Sequence, residues 1–175
     1  MWDRLFRLVG IRLTPPLVRK SRHRDPAVRQ QAAEEMARVR EPWAVPALVE
    51  LLGDTHTPVR DAAAAALRVW GPAAVPGLIV GLGHGRHEIG RAAAELLGES
   101  NDPEVVRALL VAIKYNARPV QMEARRALVR IGPPAVPALE AAKTDSHPWV
   151  RQQAAEALAE IQGRTVLPVP GPVVA

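Results

Sequence analysis

Cysteine is absent from this 175-residue chain. That excludes a disulfide framework, a zinc–thiolate centre and a thiol nucleophile, and leaves the redox compartment unspecified. Aromatic residues make up 3% of the chain, with one Phe and one Tyr, too few to furnish a stacking platform for single-stranded nucleic acid. Long apolar runs are also missing. Arg4, Arg7 and Arg12 interrupt the N-terminal stretch, so it does not read as a secretory signal. The longest apolar segment, Ala73 to Gly83, contains Pro76 and is too short to cross a bilayer. A soluble, cytoplasmic protein is the expectation. Lysine is scarce: of 23 basic residues only Lys20, Lys114 and Lys143 are lysines, against 20 arginines.

Proline, by contrast, is abundant, with 17 residues in a chain that is 48% hydrophobic and 23% charged. This is a globular composition, and the prolines act as punctuation. One string recurs as Ala44-Val45-Pro46-Ala47-Leu48, Ala74-Val75-Pro76-Gly77-Leu78, Val105-Val106-Arg107-Ala108-Leu109 and Ala135-Val136-Pro137-Ala138-Leu139. A second string carries β-branched anchors at Val28, Val59, Ile89, Val120 and Val150, in steps of 31, 30, 31 and 30 residues. Two interleaved series with one period define a two-element repeat present about five times.

Both elements read as helices. Apolar residues follow the second-series anchors at offsets 4, 5, 8 and 11, such as Ala32, Ala33, Met36 and Val39, or Ala154, Ala155, Leu158 and Ile161. Proline fits the first turn, where the N–H has no intrahelical partner. Gly53, Gly71, Gly83, Gly98 and Gly132 are expected to close helices in the left-handed conformation. Asp25, Asp54, Asp102 and Asp145 are placed to cap the helices that follow them.

A helix pair of this length, carrying the Ala-Val-Pro-Ala-Leu and Asp-x-x-x-Pro-x-Val-Arg strings, resembles the short HEAT-like repeat also found in phycobilisome lyase subunits. The resemblance covers residues 14 to 162. It implies an all-α fold, an α-solenoid (α/α superhelix) of about five HEAT-like antiparallel helix pairs. An amphipathic capping helix is expected over residues 1–13, the repeats over 14–162, and a Pro-rich, flexible tail over 163–175. Trp2, Leu5, Phe6, Val9 and Leu13 share one face of the capping helix; the same helix suits docking on a partner or a membrane surface.

Chemistry is sparsely supplied. Arg86-His87-Glu88-Ile89-Gly90-Arg91 is similar to the His-Glu metal motifs of deoxyhypusine hydroxylase, a family of similar fold that holds a di-iron centre with four such pairs. One pair cannot supply that ligand set, so His87 and Glu88 read as a solvated helix start. His23, His56, His84 and His147 form no i, i+4 His pair, and no His-Glu-x-x-His string exists. Ser21, Ser100 and Ser146 lack a Gly-x-Ser-x-Gly setting, and no phosphate-binding glycine loop follows a strand. The expectation is a non-catalytic protein with no cofactor, no metal site and no small-molecule substrate.

Two arginine patterns remain. Arg29, Arg60 and Arg151 follow the valine anchors, with Asp25, Asp54 and Asp145 in the preceding loops. They read as an Asp–Arg ladder tying neighbouring repeats, a role suited to the guanidinium fork. The ladder lapses at Gly90 and Gln121, which makes repeats three and four the softest or most specialised stretch. The outward face of the second helices, concave in HEAT stacks, reads as mixed in sign, with a basic spot at Arg91, Met122, Arg126 and Arg130. It lacks the strongly basic, aromatic-dotted pattern of HEAT-like DNA glycosylases and suits a generic protein-binding groove.

The second pattern is Arg19-Lys20-Ser21-Arg22-His23-Arg24. Residues 1–40 hold ten Lys+Arg and four Asp+Glu, whereas the rest holds 13 and 14, so the formal net of +5 sits at one end. Arg19, Lys20, Arg22 and Arg24, with Trp2 and Phe6, make that end the expected docking edge for a protein partner, the chain acting alone or as a subunit of a larger complex. Nucleic acid or an anionic membrane surface is the second reading for the same arginines. An accessory, lyase- or chaperone-like role beside a cofactor-bearing protein is a third, and rests on the family resemblance alone.

Overall fold

The computed structural model describes residues 15–39 and 41–163. The capping helix expected over residues 1–13, with Trp2 and Phe6, lies outside the described residues, as does the tail from residue 164 onward. The described chain is all-α, without a strand. Its helices are α1 (Pro16–Lys20), α2 (Pro26–Met36), α3 (Ala44–Leu51), α4 (Thr57–Trp70), α5 (Val75–Leu82), α6 (His87–Leu97), α7 (Pro103–Tyr115), α8 (Arg118–Ile131), α9 (Val136–Ala142) and α10 (Pro148–Ile161), with 3-10 turns at Gly71–Ala74 and Pro133–Ala135. They fall into two compact units, one reaching to Leu97 and one beginning at Gly98. The first holds the pairs α1–α2, α3–α4 and α5–α6, the second α7–α8 and α9–α10. Inside each unit, second helices pack on second helices, α2 on α4 and α4 on α6, then α8 on α10. This is the stacked-pair architecture that the repeat implied.

Local chemistry accounts for the helix ends. Proline occupies N1 or N2 of most helices, where no donor is lost. The Asp25 carboxylate accepts from Ala27 N–H (2.9 Å) and that of Asp102 from Glu104 N–H (2.8 Å), so both cap their helices. Asp54 and Asp145 do something different. They accept from the N–H groups of His56 and His147 (2.9 and 2.8 Å), which are themselves the N-cap residues, and so build the loop rather than the first helical turn.

The glycines also divide. Gly71 (φ 55°) and Gly132 (φ 70°) end α4 and α8 in a region that side chains avoid. Gly53, Gly83 and Gly98 do not adopt it. At Gly53 and Gly98 the requirement is proximity: a Cβ there would lie 2.6 Å from Ile89 Cγ1 and 2.9 Å from Ala127 Cα, respectively.

The buried stripe is centred differently from the expected one. Offset 7 from the anchor, filled by Ala66, Leu96, Ala127 and Ala157, is buried in α4, α6, α8 and α10. Offset 5 is not uniformly buried: Ala64 and Arg125 are half-buried and Ala155 is exposed. At about 100° per residue, offset 7 lies about 20° from the anchor and offset 5 about 140° away, at the edge of the stripe. Met36, Leu48, Leu67 and Ile89 are fully buried in the first unit, and Leu109, Ile113, Leu128 and Leu139 in the second. Each such side chain contributes on the order of 2 kcal/mol. The Trp70 indole donates to Met36 O (3.1 Å), satisfying a carbonyl that the end of α2 leaves open.

One described run, Thr57–Leu82, is long and apolar enough to cross a membrane by length and composition. It is not one helix, because Gly71 and the 3-10 turn separate α4 from α5. Its Leu67, Trp70, Leu78 and Leu82 are buried in the first unit.

Candidate binding faces

The arginine-rich edge begins at the end of α1. The Ser21 hydroxyl turns back onto Val18 O (2.9 Å) and is buried, closing the helix and throwing the next residues into a tight loop. Lys20 reaches across to Glu35 (3.3 Å). Arg19, Arg22 and Arg24 are exposed, and no carboxylate among the described residues pairs with them. His23 Nδ1 accepts from Asp25 N–H (3.1 Å), which makes it part of the loop.

The expected ladder is made at one rung. Arg29 grips Asp54 of the next repeat with two parallel bonds, Nε–Oδ2 at 2.6 Å and Nη2–Oδ1 at 2.8 Å. Both side chains are nearly enclosed, at 12% and 8% exposure. Arg29 also donates through Nη1 to His23 O and Arg24 O, fixing its own loop. The guanidinium bond holds the Asp54 carboxyl down at about 2, against the opposing effect of burial, with the His56 N–H adding to the lowering; the Arg29 guanidinium is pushed up in return.

The other expected rungs are absent. Arg60 donates to Asp54 O, Thr55 O and Thr57 Oγ1, and Arg151 to Asp145 O and Ser146 O, each within its own loop. Asp25 caps α2 instead of meeting an arginine of a neighbouring repeat. The reason lies five residues before the anchor, where Asp54 stands in repeat two but His84 in repeat three, so Arg60 finds no carboxylate there. The junction of repeats two and three is closed otherwise: Arg86 donates to Gly53 O and Glu50 O at the end of α3 and to Glu50 Oε2, while His84 Nε2 contacts Glu50 Oε1 at 3.2 Å. In repeat four, Gln121 stands where the ladder needs a cation. Lys114, from the end of α7, takes Asp145 instead at 3.0 Å. The Asp145 carboxyl is lowered to about 2 by the His147 N–H first and by Lys114 second.

The second-helix face of the first unit carries two grooves. One, of about 630 Å³, lies between α4 and α6 and is lined by Arg60, Asp61, Arg68, Glu88, Arg91 and Glu95 over Ala64 and Ala92. The other, of about 670 Å³, lies between α2 and α4 and is lined by Gln30, Glu34, Arg38, Asp61, Ala65 and Val69. Both are mixed in charge. In the second unit the expected basic spot is compensated. The buried Glu123 carboxylate meets Arg126 (3.3 Å) and Arg130 (3.0 Å). Glu123 sits at offset 3, on the flank of the stripe, and a survey of outward positions alone passes over it. Met122 lies half-buried beside it. Arg125 bonds Glu160 and lies 3.9 Å from Glu156, tying α8 to α10.

A last cluster lies on the loop edge of the second unit, where α8 and α10 begin. The Arg118 guanidinium sits over the Trp149 ring, 3.9 Å from its centroid. Tyr115, 68% exposed, meets His147 edge-on at 6.2 Å. In the sequence His147 reads only as one of the scattered loop histidines, and Arg118, Trp149 and Tyr115 carry no signal beyond the rarity of aromatic residues. His87 and Glu88 form an exposed pair at 3.3 Å. Among the described residues no three His, Asp or Glu side chains gather in a metal-binding arrangement.

A family model for HEAT repeats matches residues 14–79 and 75–159. No curated protein matches the chain. Among solved structures, the complex of CpcE and CpcF of phycocyanin lyase from Nostoc sp. PCC7120 is 27% identical with a TM-score of 0.48, over 89% of this chain and 67% of that one. Human deoxyhypusine hydroxylase in complex with glycerol is 21% identical with a TM-score of 0.48, over 86% and 74%. A designed armadillo repeat protein in complex with the peptide (KR)4 is 17% identical with a TM-score of 0.42, over 91% and 86%.

Proposed function

The chain belongs to the HEAT-repeat family, and from that premise we propose that it is a non-catalytic binding module or complex subunit that recognises a protein partner through its arginine-rich N-terminal edge. The observation that carries this reading is the set of three exposed arginines, Arg19, Arg22 and Arg24, that no described carboxylate neutralises, beside a Lys20 that is neutralised. Guanidinium forks exposed at a loop edge suit carboxylates on a partner, and their clustering steers encounter at low salt. The mixed-charge grooves on α2, α4 and α6 extend the surface available to that partner. A cytoplasmic site of action belongs to the same proposal.

The test is capture from native lysate with the wild-type chain and with an Arg19→Glu, Arg22→Glu, Arg24→Glu variant. One protein retained by the former and lost by the latter supports the reading. A steep loss of binding to duplex DNA between low and moderate salt, abolished by the same variant, replaces it with the nucleic-acid reading. Loss of binding to anionic vesicles in the variant points to a membrane surface instead. A lyase- or chaperone-like accessory role would be supported by co-purification of a cofactor-bearing protein.

A further inference from the structure

The loop edge of the second unit joins an exposed arginine, two aromatic rings and a positive sum of charge. Arg118 is exposed and stacked over Trp149, and no carboxylate among the described residues pairs with it. A guanidinium lying over an indole keeps its in-plane N–H donors directed outward and loses little freedom on binding. The Trp149 ring beneath it is half-buried, with its Nε1 enclosed and without a hydrogen-bond partner in the structure. Tyr115, the only tyrosine of the chain, is 68% exposed and braced by His147. The charges facing this edge are positive in sum. Asp145 is its acid, and Lys114 Nζ, Ser146 Oγ and the His147 N–H already occupy it, while Arg151 holds only backbone carbonyls. The N-terminal ends of α8 and α10 add partial positive charge.

We propose that this edge docks an acidic peptide segment of a protein partner, with carboxylates taken by the Arg118 fork and side-chain surface packed on Tyr115. Tyrosine and arginine anchors beside a half-buried aromatic ring are the residue types that binding hot spots favour. A nucleic acid fits less well. The Trp149 face is already covered by Arg118, Tyr115 alone offers a ring, and Lys114 is engaged, so neither a stacking row nor a phosphate track is available. The site shares no residue with the Arg19–Arg24 edge and stands independently of that docking proposal.

The experiment uses the full chain carrying Arg19→Glu, Arg22→Glu and Arg24→Glu, so that the other edge is silent. The probe is a short fluorescein-labelled poly-glutamate peptide followed by anisotropy. Saturable binding is expected, weakened about tenfold by Arg118→Glu and by Tyr115→Ala. Arg118→Lys should also weaken it, since a lysine keeps the charge but not the stacked fork. Unchanged helical circular dichroism confirms folding, and Tyr115→Ala, at an exposed position, serves if Arg118→Glu misfolds. Absence of peptide binding, binding indifferent to all three substitutions, or tighter Arg118-dependent binding of duplex DNA would each overturn the proposal.

Discussion

Asp54 serves two repeats at once, accepting the Arg29 fork from one and the His56 N–H from the other. Its folded carboxyl titrates at about 2, below the ordinary unfolded value near 4. A depressed folded value means the stabilisation is complete above about pH 4 and is lost as pH falls from about 4 towards about 2. For so enclosed a pair the loss is about 2 kcal/mol. Urea midpoints measured across that window should fall for the wild type, and Asp54→Asn should start lower at neutral pH and fall less. Asp145, also held at about 2, adds to the same acid limb. The Asp54 rung was legible in the sequence from residue type and loop position. The missing rungs were not, because repeat arithmetic counts an aspartate as present without registering whether it stands three residues before the anchor, as Asp25 does, or five, as Asp54 and Asp145 do. That two-residue difference decides between a helix cap and a ladder partner.

Among the elements, α5 shows how a departure from the repeat can be structural. Gly77 replaces the alanine found at positions 47 and 138. A Cβ on Gly77 would lie 2.4 Å from Val45 Cγ1, on α3. Gly77→Ala should raise the helix propensity of α5 by about 1 kcal/mol, but overpacking against a β-branched side chain costs about 1–3 kcal/mol, so net destabilisation is expected. A double-mutant cycle with Val45→Ala tests the cause: the combined variant should lose less than the two single changes added together. Helix existence, pairing and period were readable from the spacing of Val, Pro and Leu. The rotation of each helix about its axis was readable only to within part of a turn, since an alanine such as Ala155 satisfies a stripe pattern whether or not it is buried. Arg118, Trp149 and Tyr115 were illegible as a group because the contact joins repeats four and five, about thirty residues apart in sequence, and no period marks it.

At the scale of the whole chain, the excess positive charge belongs to residues 1–40, and the remainder is nearly neutral. Its contacts gather in two units, each stabilised largely by nearest-neighbour pairs. A defect should therefore stay local. Arg29→Ala leaves the Asp54 carboxylate enclosed without its cation, at a cost of about 3 kcal/mol, the low end for breaking a buried pair. Hydrogen exchange should quicken across residues 26–70 while residues 103–161 keep their protection. Uniform loss of protection along the chain would show that the units respond as one.

The substitution of Lys114 for a missing arginine has a chemical corollary. All three lysines of the chain are committed to carboxylates: Lys20 to Glu35, Lys114 to Asp145 and Lys143 to Glu140. Acyl transfer to lysine Nζ would fall on these internal ties and spare the arginines, because guanidinium groups are poor acyl acceptors. Of the three, acetyl-Lys114 would matter most, releasing Asp145 at the one inter-repeat tie that hangs on an amine. Lysine acetylation would thus slacken the second unit and bare a carboxylate at its loop edge, weakening acidic-peptide docking there while Arg19, Arg22 and Arg24 keep their charge.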